Sequence, residues 1–296
     1  MTRSLASFFL AASLLSARAE PVVQKDIPFL GEERSEKMDA YLPPDSFSRP
    51  VPAVIFIHGG GWTGGHRSDG VPAGICRTLA KNGYAAFSID YRLNTASKTE
   101  DGKTVITKVV WPENFYDCNT AVRYVRKNAE KFGVDPDRIA IMGASAGAHL
   151  ALLVAATADS AKWNAGGLYT ETGNDLAAVV EFYGRHDVSR DRRQHIAGST
   201  PEETAVNVTD ASPVTHLTAA MPPVLAVQGD ADKIVPVTYG RELVERLKTL
   251  GVPHEYIEIP GAGHSFDLKP PQQDLTPAVL DFLSRYLAKK NQGAGD

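Results

Sequence analysis

The stretch that decides the fold is Ile139-Ala140-Ile141-Met142-Gly143-Ala144-Ser145-Ala146-Gly147-Ala148-His149-Leu150. Its first part is an apolar run typical of a buried strand, and the part after Ser145 is apolar and alanine-rich, which favours a helix. The pattern Gly-x-Ser-x-Gly between a strand and a helix predicts a nucleophile elbow, a tight turn that exposes a serine hydroxyl. The alternative is an ordinary turn, because such pentapeptides also occur by chance. Other parts of the chain decide between the two interpretations.

Strand-type and helix-type segments alternate through most of the chain, after two short strands between residues 24 and 43. The further predicted strands are 53–57, 85–89, 139–142, 177–182, 223–227 and 255–259. The predicted helices are 74–82, 112–132, 150–156, 238–250 and 277–288, with a short helical piece at 201–205. This alternation predicts an α/β fold with a mostly parallel central sheet and helices on both faces. Residues 94–110 are expected to form a loop or hairpin.

Composition is that of an ordinary globular protein, with 43% apolar and 22% charged residues in 296. The formal net charge is −4 and no basic block occurs, so nucleic-acid binding is not expected. The only cysteines, Cys76 and Cys118, fall in predicted helices and are expected to be free and buried. Neither H-E-x-x-H nor paired C-x-x-C occurs, so no metal and no cofactor are predicted.

The N-terminus has the pattern of a signal peptide spanning residues 1–19. Arg3 is followed by an apolar run and then by Ala17-Arg18-Ala19, a small-x-small cleavage pattern. The alternative is a buried N-terminal helix. Cleavage would leave residues 20–296 as one domain, with a small lid at about 189–218, in a secreted or periplasmic protein. No other apolar run is long enough to span a bilayer.

Reactive residue types follow the carboxyl ends of several predicted strands. Gly60, Ser145, Asp232 and His264 all lie there, and a parallel sheet brings such positions to one edge. In the order Ser…Asp…His, His264 would take the proton of Ser145 and Asp232 would orient the imidazole. Asp230 is the alternative acid. Asp232 is preferred because it lies in the turn before the next helix, whereas Asp230 lies at the strand tip.

The segment His58-Gly59-Gly60-Gly61-Trp62 follows the strand at 53–57. Its glycines allow backbone N–H groups to approach a substrate oxygen, so Gly60, Gly61 and the N–H of Ala146 are predicted to form an oxyanion hole. A flexible loop and a phosphate cradle are the alternatives, but the lysine of a P-loop is missing. His58 is expected to brace the loop.

Together these motifs resemble those of α/β-hydrolase serine esterases, and the similarity covers about residues 38–288. The motifs are His58-Gly59-Gly60-Gly61-Trp62, Asp90-Tyr91-Arg92-Leu93, 143–150, Gly229-Asp230-Ala231-Asp232 with Val235-Pro236, and Gly263-His264. More closely, the chain resembles the secreted bacterial branch that includes acetyl-xylan and feruloyl esterases. It departs from the lipase-like group at Asn94-Thr95, where that group has Ala-Pro-Glu.

The resemblance implies a secreted carboxylesterase that hydrolyses short-chain or aryl esters, on carbohydrate, through an acyl-enzyme on Ser145. The alternatives are an amidase or formamidase with the same triad, and a non-catalytic hydrolase-like binding protein. Trp62, Tyr91 and Phe266 are the residues expected to contact a small-molecule or carbohydrate ester. The oligomeric state stays open.

Several other side chains have two interpretations from sequence. His149 is expected to pack or to bond locally, because it lies on the same helix face as Ser145. Four further residues are expected to line the site if the lid segment folds over the site, and to be solvated if it does not. They are His186, Asp187, His195 and His216. Trp111 and Trp163 are either core residues or the floor of a sugar or aryl site.

Overall fold

The computed structural model describes residues 19–191 and 194–289. The predicted signal peptide, except for Ala19, lies outside the described residues, so its cleavage stays a prediction. None of the described helices is both long and apolar enough to cross a bilayer.

The central feature is a sheet of eight strands in the order β1-β2-β4-β3-β7-β8-β9-β10. Its strands are β1 Val22–Ile27, β2 Met38–Leu42, β3 Val51–Ile57, β4 Ala85–Ile89, β7 Val134–Ala144, β8 Ala178–Phe182, β9 Val224–Gly229 and β10 His254–Ile259. Strand β2 is antiparallel to both β1 and β4, and the neighbours from β4 to β10 are parallel. This arrangement confirms the mostly parallel sheet.

Helices connect the strands and cover both faces of the sheet. They are α1 Gly70–Lys81, α2 Glu113–Lys127, α3 Ala129–Phe132, α4 Ala146–Ala156, α5 Ala161–Asn164, α6 Pro201–Ala211, α7 Thr238–Leu250 and α8 Thr276–Tyr286. The segment predicted as a loop or hairpin is a hairpin of β5 Thr95–Lys98 and β6 Thr104–Lys108, almost entirely exposed.

Alternate residues of the central strands belong to two separate hydrophobic cores. In β3, Ile55 and Ile57 pack with α2, α4 and α7, whereas Val54 and Phe56 pack on the other face with α1 and α8. Both faces are buried, which explains why the sequence of this strand is continuously apolar. Cys76 and Cys118 are free and buried, one in each core.

Some predicted boundaries were wrong. Residues 133–137 were expected to form a turn, but β7 already begins at Val134, which pairs with Val51 next to a register shift. The helix expected at 112–132 is interrupted at Asn128, so that α2 and α3 are separate. Helix α6 continues six residues beyond the predicted end, to Ala211. For β7, pairing with the distant Val51 outweighs the local turn signal.

Candidate active site

Ser145 lies in the sharp turn between the end of β7 and the start of α4. Its backbone has φ 54° and ψ −117°, a strained conformation for a residue with a side chain, and its N–H donates 2.8 Å to the carbonyl of Phe182. A Cβ on Gly143 would lie 2.3 Å from the carbonyl oxygen of Gly147, and one on Gly147 would lie 2.1 Å from that of Ile57. Both glycines of the motif are therefore required for the elbow.

The three predicted triad side chains are in one hydrogen-bonded line. The Ser145 hydroxyl lies 2.9 Å from Nε2 of His264, and Nδ1 of His264 lies 2.6 Å from Oδ2 of Asp232. Because a carboxylate only accepts hydrogen bonds, Nδ1 carries the proton and Nε2 is free to accept from the serine. This is the geometry that a serine nucleophile and its base require.

Asp232 is held in its ionised form by its surroundings. Burial would raise its pKa, but the hydrogen bond from His264 and the backbone N–H groups of Val235 and Ile234 outweigh burial and lower it. Asp230 is exposed and its Oδ1 accepts from the N–H of Gly261 at 2.6 Å. The geometry therefore favours Asp232 over Asp230 as the acid of the triad.

Gln228 is a participant that the sequence analysis missed. Its side chain is fully buried, and Nε2 donates 3.1 Å to Oδ2 of Asp232 and 2.9 Å to the carbonyl of Val235. The available signal was a polar residue in the otherwise apolar run of β9, at the end of the strand that carries the acid. Gln228 positions Asp232 from the side opposite the solvent.

The glycine loop after β3 lies directly against the nucleophile elbow. A Cβ on Gly59 would lie 3.3 Å from Cβ of Ser145, and Gly60 and Gly61 have φ of 119° and 58°. Within the described part of the chain, no residue accepts a hydrogen bond from the N–H of Gly60, Gly61 or Ala146. These groups are free to bind an oxyanion, and that role stays a prediction.

Asp90 and Tyr91 hold the glycine loop in place. Oδ1 of Asp90 accepts from the N–H of Arg67 at 2.8 Å, and the guanidinium of Arg67 also contacts Asp90 and Asp39. The Tyr91 ring stacks on His58 at 4.5 Å, and its hydroxyl donates 3.1 Å to the carbonyl of His58. Two residues of the Asp-Tyr-Arg-Leu motif thus support the loop from behind.

A cavity of about 610 Å³ opens in front of Ser145 and His264. Its apolar wall is formed by Phe56, Val71, Pro72, Tyr183 and Ile234. Tyr183 is a second participant that the sequence analysis missed: its ring lies 4.7 Å from that of His264, and its hydroxyl donates 2.6 Å to the carbonyl of Phe266.

The three residues expected to contact substrate lie in other places. Tyr91 is 1% exposed and braces His58, and Trp62 is 4% exposed and packs between His149 and His195, so both expectations need correction. Phe266 is half-buried on a neighbouring surface groove, with its ring 4.6 Å from that of Tyr183. An aromatic ring next to a glycine loop can either support the loop or form the floor of a substrate site. The sequence alone does not distinguish these two roles.

The histidines in and next to the predicted lid segment have different surroundings. His195 lies on the cavity wall, whereas His186 is buried 3.4 Å from Glu181 and His216 packs edge-on against Trp163. Trp111 and Trp163 are core residues with rings 5.7 Å apart. Asp187 accepts from the N–H of Ser189 at 3.0 Å. The sequence could not separate these cases, because the contacts come from distant segments.

Asn94 is a further residue whose role only the structure reveals. Its N–H donates 2.7 Å to the carbonyl of Trp62, and its Nδ2 donates 2.9 Å to the carbonyl of His195. Its Oδ1 accepts from the N–H of Val110 at 2.9 Å. Asn94 thus ties the glycine loop to the segment predicted as a lid, at the position where the sequence departs from the lipase-like group.

No group of three or more His, Cys, Asp or Glu side chains within residues 19–191 and 194–289 is arranged to hold a metal ion. The chemistry that this geometry supports is nucleophilic attack by Ser145 with His264 as base.

Comparison with known proteins identifies the family. Residues 38–247 match the BD-FAE family. The chain belongs to this family. This BD-FAE protein is 34% identical to the esterase LipC of Mycobacterium tuberculosis over 257 residues, which are 80% of this chain and 59% of LipC. The chain spans about six tenths of the length of the curated relatives it matches.

Solved structures share the fold of the BD-FAE protein. A truncated carbohydrate esterase from gut microbiota is 25% identical with a TM-score of 0.76, over 93% of this chain and 99% of that one. Esterase 2 of Thermogutta terrifontis, phosphorylated by paraoxon, is 27% identical with a TM-score of 0.68, over 93% and 97%. These likenesses confirm the α/β-hydrolase fold and the resemblance to its esterases.

Proposed function

We propose that the protein is a serine carboxylesterase that hydrolyses short-chain or aryl esters, with esters of carbohydrates as its natural class of substrate. The observation that carries the proposal is the line from Ser145 through His264 to Asp232, with contacts of 2.9 and 2.6 Å. The relatives named as esterases and the carbohydrate esterase of similar fold support it.

The proposed reaction has two halves. Oγ of Ser145 attacks the ester carbonyl carbon while His264 takes its proton, and the oxyanion is held by the N–H groups of Gly60, Gly61 and Ala146. His264 then gives the proton to the departing alkoxide, leaving an acyl-enzyme. In the second half His264 deprotonates a water molecule, which attacks the acyl carbon, and the carboxylic acid and free serine are released.

The cavity supports a small or flat acyl group. About 610 Å³ is available in front of the triad, and side chains such as Phe56, Val71 and Pro72 provide an apolar wall. Two structures of Thermogutta terrifontis esterase 2 contain butyrate and propionate. Because these bound acids are short, we include a preference for short acyl groups in the proposal.

Hydrolysis of p-nitrophenyl acetate by wild type and by Ser145→Ala tests the proposal. We expect kcat to fall by at least about 10⁴-fold in the variant, since the attacking atom is removed while the fold is unchanged. Paraoxon should add one diethylphosphoryl group, which peptide mass mapping should place on Ser145. A wild-type protein without activity would contradict the esterase, and equal activity in both would assign the chemistry to another residue.

Substrate class requires a separate comparison. Acetylated xylan, methyl ferulate and N-formylkynurenine represent the carbohydrate ester, aryl ester and formamidase alternatives. The proposal expects kcat/KM to be highest for one of the two esters. A preference for N-formylkynurenine would replace the carboxylesterase with a formamidase on the same triad.

Export is the part of the proposal that rests on the sequence of residues 1–19. We propose that the chain is cut after Ala19 and works in the periplasm or outside the cell. Expression of the full chain, cell fractionation and N-terminal sequencing test this. The expected mature protein begins at Glu20, and an uncut cytoplasmic protein would contradict it.

A further inference from the structure

A second histidine shares the cavity with the triad. His195 lies on the same wall surface as Ser145 and His264, is only 6% exposed, and comes from the lid segment. Its Nδ1 lies 2.7 Å from Oδ2 of Asp191. Since the carboxylate can only accept, Nδ1 carries the proton, and in the neutral ring Nε2 is a hydrogen-bond acceptor.

The ring of His195 is held on several sides. Its backbone N–H also donates to Oδ2 of Asp191, at 2.9 Å, and Oδ1 of Asp191 lies 3.3 Å from Arg185. The centroid of the imidazole lies 5.2 Å from that of the Trp62 ring. The backbone carbonyl of His195 accepts a hydrogen bond from Nδ2 of Asn94 at 2.9 Å. A polar group fixed in this way meets its ligand with little loss of conformational freedom.

Nε2 of His195 needs a hydrogen-bond donor when substrate displaces water from the cavity. The triad is complete without it, because Nε2 of His264 already receives the hydroxyl of Ser145. A polar atom in a largely buried side chain, beside apolar residues such as Ile234, loses hydration when an ester fills the cavity. A substrate that offers a hydrogen-bond donor at this point restores the lost contact, and a purely hydrocarbon substrate does not.

We propose that His195 is a specificity-determining residue whose Nε2 accepts a hydrogen bond from a hydroxyl group of the substrate. This inference rests on the proposed esterase function and narrows its substrates to hydroxylated esters. The hydroxyl has two sources, a polyol or sugar on the alcohol side of the ester or a phenol on the acyl side.

Paired substrates that differ only in hydroxyl groups test the inference. Glycerol monoacetate is compared with propyl acetate for the alcohol side, and methyl p-coumarate with methyl cinnamate for the acyl side. The measured quantity is the ratio of kcat/KM within each pair, which does not depend on the fraction of folded enzyme. The pair that responds to substitution identifies the side on which the hydroxyl binds.

The variant His195→Phe keeps an aromatic ring against Trp62 and removes both nitrogens. We expect it to lower kcat/KM for the hydroxylated member of one pair by roughly ten-fold and to leave its partner within about two-fold. His195→Gln, whose amide oxygen also accepts, should recover part of the ratio, and it replaces the phenylalanine variant if that variant does not fold. The matched control is His216→Phe, because His216 lies in the same lid segment but packs on Trp163.

The outcomes separate the two proposals. If His195→Phe changes both members of each pair by the same factor, His195 is only a packing residue and the inference is overturned, while an active wild type and inactive Ser145→Ala keep the esterase. If the wild type hydrolyses neither these esters nor p-nitrophenyl acetate, the esterase itself is overturned. Equal losses of ratio in His216→Phe would also contradict a specific role for His195.

Discussion

Nε1 of Trp62 donates a hydrogen bond of 3.3 Å to Nδ1 of His149. The other nitrogen of His149 donates 2.7 Å to the carbonyl of Ala211, at the end of α6. One buried imidazole therefore joins the glycine loop, the helix that follows Ser145 and the end of α6. It can do so only when neutral, because it must accept at one nitrogen and donate at the other.

This joint predicts a pH-dependent stability. Burial lowers the pKa of His149 to about 4, whereas an unfolded histidine titrates near pH 6.5. Between these values the unfolded chain binds a proton that the folded protein does not, so the free energy of unfolding decreases as the pH falls. His149 alone should lower it by about 2 kcal/mol at pH 5 relative to pH 7.

Urea unfolding of wild type and His149→Gln at both pH values measures this contribution. The variant should be less stable at pH 7 but should lose about 2 kcal/mol less than wild type on going to pH 5. If the free energy of unfolding of His149→Gln depended on pH as that of wild type does, buried His149 would not be the neutral link described above.

Replacement of the triad acid distinguishes the two neighbouring carboxylates. Asp232→Asn should reduce kcat by about 10⁴-fold, because an amide no longer holds the imidazole of His264 in the right tautomer or stabilises its cation. Asp230→Asn should change kcat by less than about three-fold, since that side chain is exposed and bonds the backbone N–H of Gly261 in the turn after β10, not the imidazole of His264. Steady-state kinetics with p-nitrophenyl acetate decides, and the reverse result would make Asp230 the acid.

Replacing glycine by alanine should have opposite effects on stability in the elbow and in the middle of α1. Gly147→Ala places a methyl group 2.1 Å from the carbonyl oxygen of Ile57, so we expect it to destabilise the protein by about 1–3 kcal/mol and to reduce activity. Gly74→Ala lies in α1 with no atom within 4 Å of the new methyl group, and should stabilise by about 0.5–1 kcal/mol. Thermal and urea unfolding measure both, and equal effects would show that the elbow tolerates a Cβ.

Replacing Gln228 should change kcat without changing KM. Gln228→Met keeps the length of the side chain but removes the hydrogen bond to Asp232, so kcat should fall by up to about ten-fold. KM should stay the same because Gln228 is fully buried and does not line the cavity. The exposed Gln273→Met is the matched control. A rise in KM at constant kcat would instead give Gln228 a role in substrate binding.

Much of the fold and the arrangement of the site could be predicted from local sequence. The continuous apolar run of β3 indicates a strand buried on both faces, and the switch to a helical pattern after Ser145 indicates the elbow. Parallel topology then brings Ser145, Asp232 and His264 to one edge, and the structure finds them in contact. The start of β7 was less predictable, because pairing of Val134 with Val51 on a distant strand sets it.

The sequence by itself determined the α/β sheet, the elbow and the order of the reactive residues, since each depends on the period of apolar residues and on short motifs. Only the tertiary structure decided which aromatic and polar side chains face the cavity. Trp62 and Tyr91 are covered by residues far along the chain, and His195 reaches the cavity because Asp191 and Asn94 hold it there. The burial and the hydrogen-bond partners of a side chain depend on which distant segments pack against it. The local sequence pattern around that residue does not contain this information.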